Sequence, residues 1–571
     1  MTHAGDGDRG ATRLARFARL ARRCRLLVGL LLSFAAISPA FARDDLVIGI
    51  SQFPAMLHPS IDSMNAKTYV LGFTRRPLTA FDPDWQLRCM LCVTLPTVEN
   101  GLAKVVKTKT GTEMQVTFTL PPEARWGDGH PLTTEDVLFT WEVGRHPQSG
   151  VANAGIYRRI AAIEAKDKKT FVLHLEQATF DYNVLNEFRL LPAHLERAAF
   201  ANPAEYRNKS RYVTDVANPG LSMGPYRVAK VEQGSQIVLE PNPQWWGKPP
   251  AFPRITVKAI ENTQSLEANL LAGGVDMIAG EVGLPLDQAV SFSNRAKDAF
   301  EVVFKSGLIY EHIDINPANP ALADKRVRKA ILYGIDRQSL SRQMFDNRLP
   351  VADSCVSPLE WAYASDLLPY TFQPKLAASL LDAAGWRVVD GWVRKNAKGE
   401  PLVLELDTTA GNHTRELVQQ VIQMNLRQLG IDVRLKAEPS RVFIGDTLTQ
   451  RKFPGLAMYS WFGSPEWVPR ATLHSASIPR AENNWSGQNF TGYADPRMDA
   501  LIERIERELD RDKRRSLWRE FQGLYAEELP ALPLYFNAFA FILPKWLKGV
   551  RPTGHDLPSS MWAEEWRVEG R

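Results

Sequence analysis

Hydrophobic and polar positions alternate between residues 115 and 120, with Val116, Phe118 and Leu120 on one face, which is the period of a half-buried strand. Pro121 and Pro122 end the run, and residues 126–131 are dense in turn formers. Thr133 stands three residues before Asp136, a short-acid form of the capping box, with Glu135 and Asp136 in the electropositive first turn. Val137, Leu138 and Trp141 give that helix an apolar side. Elsewhere the pattern predicts strands at 46–50, 226–231, 237–240, 255–260, 309–316, 402–406, 431–435 and 456–461. It predicts helices at 266–271, 324–337, 374–385 and 414–430, with a helix pair ending near Glu528. In the 324–337 helix, Val327, Ile331 and Ile335 fall on one face.

The literal residues say more than their periodicity. Phe118-x-Leu120, then Trp126-Gly127-Asp128-Gly129-x-Pro131-x-Thr133-x-Glu135-Asp136-Val137-x-Phe139-Thr140-Trp141, resembles the signature of the family 5 extracellular solute-binding proteins. These are the dipeptide- and oligopeptide-binding class of ABC importers. Partner motifs follow in order: Met223-Gly224-Pro225-Tyr226, then Asn242-Pro243-Gln244-Trp245-Trp246-Gly247, then Asp324-Lys325-Arg326-Val327-Arg328 with Asp336-Arg337. The resemblance implies an α/β periplasmic-binding-protein type II fold, with two lobes joined by hinge strands and an extra domain inserted in the first lobe. It implies lobe I at 43–78, 216–307 and 531–571, the extra domain at 79–215 and lobe II at 308–530.

A chain of 571 residues exceeds one ordinary core, in keeping with several domains. Its 15 Trp either fill cores or line a ligand cleft. The net charge of +5 is local to the N-terminus. Residues 1–42 hold seven Arg and two Asp, and removing them leaves 62 basic and 62 acidic residues. No electrostatic case for nucleic acid or an anionic membrane survives. Arg9 to Arg25, the apolar run 26–37 and Ala40-Phe41-Ala42 make a signal peptide cleaved after Ala42, and hence a periplasmic protein. The apolar run is too short to span a bilayer comfortably.

Three cysteines remain after cleavage: Cys89, Cys92 and Cys355. The Cys89-x-x-Cys92 pair lacks the second ligand pair of a zinc site, so one disulfide and a free thiol are expected, with the pairing open. Gly220-Leu221-Ser222-Met223-Gly224 matches a hydrolase G-x-S-x-G, which requires a strand before it and a helix after it. Here Asn218-Pro219 precede it and a strand is predicted next, so an exported hydrolase acting through Ser222 is the lesser alternative. No catalytic residue, metal ligand set or cofactor is assigned.

The resemblance implies a receptor that closes over a peptide or peptide-like solute and delivers it to inner-membrane ABC permease subunits, as a monomer. In the peptide binders, an Asp three residues after a cleft Trp pairs with the ligand's α-ammonium, because a buried cation needs a partner. The corresponding Trp is Trp461, and the third residue after it is Ser464, with Glu466 two positions on as a substitute acid. The dipeptide binder's carboxylate-holding Arg falls in a stretch that reads Thr408-Thr409-Ala410, without Arg. With both charge anchors missing, a modified peptide, opine, sugar or metal chelate is the alternative solute. Gln52 and Phe53 after the first strand, Tyr310 and Trp485 complete the candidate ligand contacts.

Overall fold

The computed structural model describes residues 45–61, 64–107, 112–367, 369–439, 442–483, 485 and 487–569. The export segment read at 1–42 lies outside them. The strands of the larger sheets are β1 (Asp45–Ile50), β2 (Ala103–Lys107), β3 (Thr112–Thr119), β4 (Ile160–Ala165), β5 (Thr170–Leu175), β6 (Tyr226–Glu232) and β7 (Gln236–Pro241). They continue with β8 (Arg254–Ala259), β9 (Met277–Ile278), β10 (Phe300–Ile315), β11 (Val403–Thr409), β12 (Asp432–Glu438), β13 (Leu456–Phe462) and β14 (Ala531–Pro544). Ten of these form one mixed sheet in the order β12-β11-β13-β10-β14-β9-β1-β8-β7-β6.

Two long strands organise that sheet. β10 and β14 run antiparallel from the Phe300–Pro544 pair to the Asp314–Ala531 pair, with register breaks between Ser306 and Ile309 and between Glu311 and His312. Before the first break β10 pairs with β14; after it β10 also pairs with β13, from Ile309 opposite Phe462 to Ile315 opposite Leu456. β14 is apolar along nearly its whole length because almost every residue is buried. At the first break a Cβ on Gly307 would stand 2.6 Å from the Gly554 carbonyl oxygen, so only glycine fits. This is the two-lobed type II arrangement: strands β6–β9 and β1 lie on one side of the paired strands, and β11–β13 on the other. Residues 47–569 of the described chain cluster as one unit.

The smaller sheet, β2-β3-β5-β4, carries the alternation that the sequence displays. Val116 and Phe118 are fully buried, and Phe118 stacks on Phe171 at 5.7 Å. Trp126 is fully buried as well, and the Lys169 ammonium donates to the carbonyls of Pro121, Ala124 and Leu132, pinning the loop. Helix α1 (Thr134–Arg145) opens with the expected capping box, in which Thr133 and Asp136 each accept from the other's end of the first turn. Burial pushes the Asp136 carboxyl above its ordinary range despite those N–H donors.

Two expectations shift. The helix at 324–337 is two helices, Lys325–Gly334 and Arg337–Phe345; Ile335 is extended, and Asp336 caps the second by accepting from the Ser339 N–H at 2.9 Å. A local cap thus outweighs the uninterrupted apolar stripe. The strand at 309–316 begins nine residues earlier, at Phe300, because its first half is only partly buried and shows no clean alternation. Cys89 and Cys92 are joined as a disulfide, and Cys355 is free.

Candidate ligand site

A cavity of about 620 Å³ lies beside the paired strands, a size ordinary for small-ligand sites. Its walls come from far-separated stretches: Ser51 and Gln52 after β1, Gly280 to Leu286 after β9, Glu311 on β10, and Tyr535 and Asn537 on β14. Ser460 on β13 and the first turn of helix α2 (His413–Arg427) close it. Asn412 caps that helix by accepting from the Arg415 N–H at 3.1 Å. Thr414 donates to Asp287 at 2.6 Å, tying the helix start to the segment after β9.

An ion pair dominates the wall. Arg415 Nε donates to Glu311 Oε1 at 2.6 Å, and Nη2 to Glu311 Oε2 at 3.2 Å. Nη2 also reaches Ser460 Oγ at 2.8 Å, Nη1 reaches Thr409 Oγ1 at 3.1 Å, and Asn537 donates to Glu311 Oε2 at 3.1 Å. Burial pulls the Arg415 pKa down, and the Glu311 charge more than offsets it, leaving it raised. The Glu311 side chain is only 2% exposed, so the guanidinium is what makes its charge tolerable there.

Behind β13 lies a second, tighter network. Trp461 and Tyr310 are directly paired across β13 and β10, and Trp461 packs against Phe490 at 5.7 Å. The Tyr310 and Tyr525 hydroxyls are 2.8 Å apart, His312 stacks on Tyr310 at 4.8 Å, and Tyr459 donates to Asp314. A gap of about 20 Å³ remains between Trp461, Tyr310, His312 and Cys355.

A family model described as bacterial extracellular solute-binding proteins, family 5 Middle, matches residues 97–479, more than half of the chain. The chain belongs to the family 5 extracellular solute-binding proteins. It is 25% identical over 512 residues to the oligopeptide-binding protein AppA of Bacillus subtilis, with 89% of each chain covered. It is 24% identical to the nickel-binding periplasmic protein of Escherichia coli, covering 90% of this chain and 93% of that one. Among solved structures, the oligopeptide-binding protein of Thermus thermophilus complexed with a pentapeptide superposes with a TM-score of 0.76 at 29% identity, covering 92% of this chain and 96% of that chain.

For this family 5 protein, the residues singled out by sequence divide between the two places. Gln52 lines the larger cavity, and Thr409 bonds the Arg415 guanidinium that lines it. Thr408 is fully buried and donates to the Met458 carbonyl at 2.8 Å, a strand-to-strand tie. Trp461 and Tyr310 belong to the tighter network. Ser464 Oγ is buried without a hydrogen-bond partner among the described residues. Glu466, at φ 62°, is committed to Arg511 and Arg514 at 3.6 and 3.5 Å, and its N–H to Glu360. Phe53 is half-buried and outside the cavity lining, as is Trp485, whose N–H donates to the Arg480 carbonyl at 2.8 Å.

Arg415, Glu311, Glu281, Tyr535 and Asn537 were not legible as site residues. The stretch 408–410 indeed lacks Arg, but one turn into the next helix Arg415 returns a guanidinium to the cavity. The available signal was the charged cluster Glu311, His312 and Asp314 set among the apolar residues of one strand run. Ser222 is 3% exposed, ends the short turn Pro219–Leu221 and leads directly towards β6, so the strand-serine-helix elbow is not formed. No helix among the described residues is long and apolar enough to cross a membrane.

Proposed function

We propose that this chain is the periplasmic receptor of an ABC importer for a peptide or peptide-like solute. The observation that carries it is the cavity at the junction of β10, β13 and β14, with polar groups converging from both sides of the paired strands in a family whose members bind solutes. The relative solved with a pentapeptide and the relatives named oligopeptide-binding proteins favour a peptide. The lobes are assigned as 43–78, 216–307 and 531–571 for lobe I, 79–215 for the extra domain and 308–530 for lobe II. Bending at the β10 register breaks closes one lobe on the other, and the Thr414–Asp287 bond forms on closure. Gln52 contacts the solute directly, and Thr409 acts through the Arg415 guanidinium that lines the cavity. Residues 1–42 direct export and are removed, the closed monomer docks on inner-membrane permease subunits, and no covalent step is assigned to it.

The test is a mass spectrum of what co-purifies with the gently isolated protein, followed by thermal unfolding with the identified solute added. At a hundredfold excess over Kd, mass action stabilises the native state by about 2.7 kcal/mol. A peptide that co-purifies and stabilises supports the reading. A nickel complex or other chelate in its place, as the name of the Escherichia coli relative suggests, sinks the peptide assignment and leaves the receptor role.

A further inference from the structure

The cavity is unbalanced in charge. Three of its lining side chains are acids, Glu261, Glu281 and Glu311, against one permanent cation among the described residues, Arg415, which Glu311 already neutralises. Glu281 is different from the other acids. Its Oε1 accepts the Ser559 N–H at 2.6 Å, while its Oε2 is buried with no hydrogen-bond partner among the described residues. Two more buried polar atoms of its neighbours have no hydrogen-bond partner among the described residues: Ser559 Oγ, and the hydroxyl of Tyr69, a fully buried residue whose ionisation is opposed by burial first and by Glu281 second. His555, the base whose charge would favour this carboxylate, is spoken for: its Nδ1 accepts the Leu557 N–H at 3.2 Å and its Nε2 lies 3.3 Å from the Asp82 carbonyl.

A buried carboxylate oxygen without a partner is costly, and proteins keep such groups where a ligand supplies the missing donor. The three unmatched atoms can all accept, and one carries charge, which suits an N–H-rich cation more than a carboxylate or a neutral sugar. We propose that Glu281, with Tyr69 and Ser559 beside it, is the subsite for a primary ammonium group of the solute, after a small rotation of the Glu281 side chain towards the cavity. The inference rests on the peptide-receptor reading and moves the ammonium anchor from the Ser464 position, where the acid is missing, to the segment after β9. The α-amine of a peptide and a lysine side chain share this chemistry.

The protein, purified after expression of the full chain, is equilibrated with synthetic pools of tri- to pentapeptides, and the retained species are read by mass spectrometry. One pool carries free α-amines without Lys or Arg, one is the N-acetylated form, and one is N-acetylated with a single Lys. Selective retention of either amine-bearing pool over the neutral one supports the subsite, and which pool is retained identifies the source of the ammonium. Glu281→Gln weakens that retention by about tenfold or more, while its unliganded thermal midpoint does not fall, because burial opposes the charge of that carboxylate and the amide oxygen still accepts the Ser559 N–H. Tyr69→Phe moves the preference in the same direction. Equal retention of the neutral pool, or unchanged preference in both variants, overturns the ammonium subsite and leaves the peptide reading intact. Retention of no pool overturns both.

Discussion

Replacing Arg415 by Met removes a guanidinium of similar length and leaves Glu311 with Asn537 as its remaining side-chain donor. The carboxylate is 2% exposed and the guanidinium 15%, so water screens neither well. A charge pair about 4 Å apart in an effective dielectric of about 20 interacts by about 4 kcal/mol. Removing one partner of a buried pair typically costs about 3–5 kcal/mol, mostly the penalty of the stranded charge. Arg415→Met is therefore expected to lower the unfolding free energy by about 3 kcal/mol. Urea unfolding followed by tryptophan fluorescence measures it. The stranded charge, and not the lost packing, is the stated cause. The double variant Arg415→Met with Glu311→Gln should therefore recover about 2 kcal/mol or more of that loss, a coupling readable from the double-mutant cycle. A single-variant loss below about 1 kcal/mol, or a double variant equal to the sum of the two singles, would refute the reasoning.

Gly307→Ala puts a Cβ 2.6 Å from the Gly554 carbonyl oxygen; the expected loss is about 1–3 kcal/mol, and unchanged stability would deny the close approach at the strand crossing. Thr133→Ala removes the hydroxyl that caps helix α1 and should cost about 1 kcal/mol, whereas Thr133→Ser should cost little in the same unfolding assay. Burial pushes the Glu360 carboxyl up to about 7 from 4.5, so the folded protein holds that proton to higher pH than the unfolded chain does. Its contribution is fully present below pH 4.5 and is lost as pH rises through about 7, by up to about 3 kcal/mol. Glu360→Gln should gain on the wild type across that window, and parallel stability profiles for the two proteins would exclude the assignment.

Local order in this protein is written locally. Thr133 and Asp136 cap a helix because the groups that satisfy its first turn lie within four residues of each other, and Val116 and Phe118 face inward because the strand period is two. The ordered motifs from Phe118 to Arg337 likewise carried the family, and with it the two-lobed fold. The site was a different matter. Glu311 and Arg415 are separated by 104 residues, and Glu281 and Ser559 by 278, so nothing in either neighbourhood marks them as partners. Only the antiparallel run of β10 against β13 and β14 sets which strand residues face the cavity, and only the start of helix α2 carries Arg415 back to it. Periodicity fixes which face a residue occupies; which distant face meets it, and whether the charges there balance, is decided by packing across the sheet.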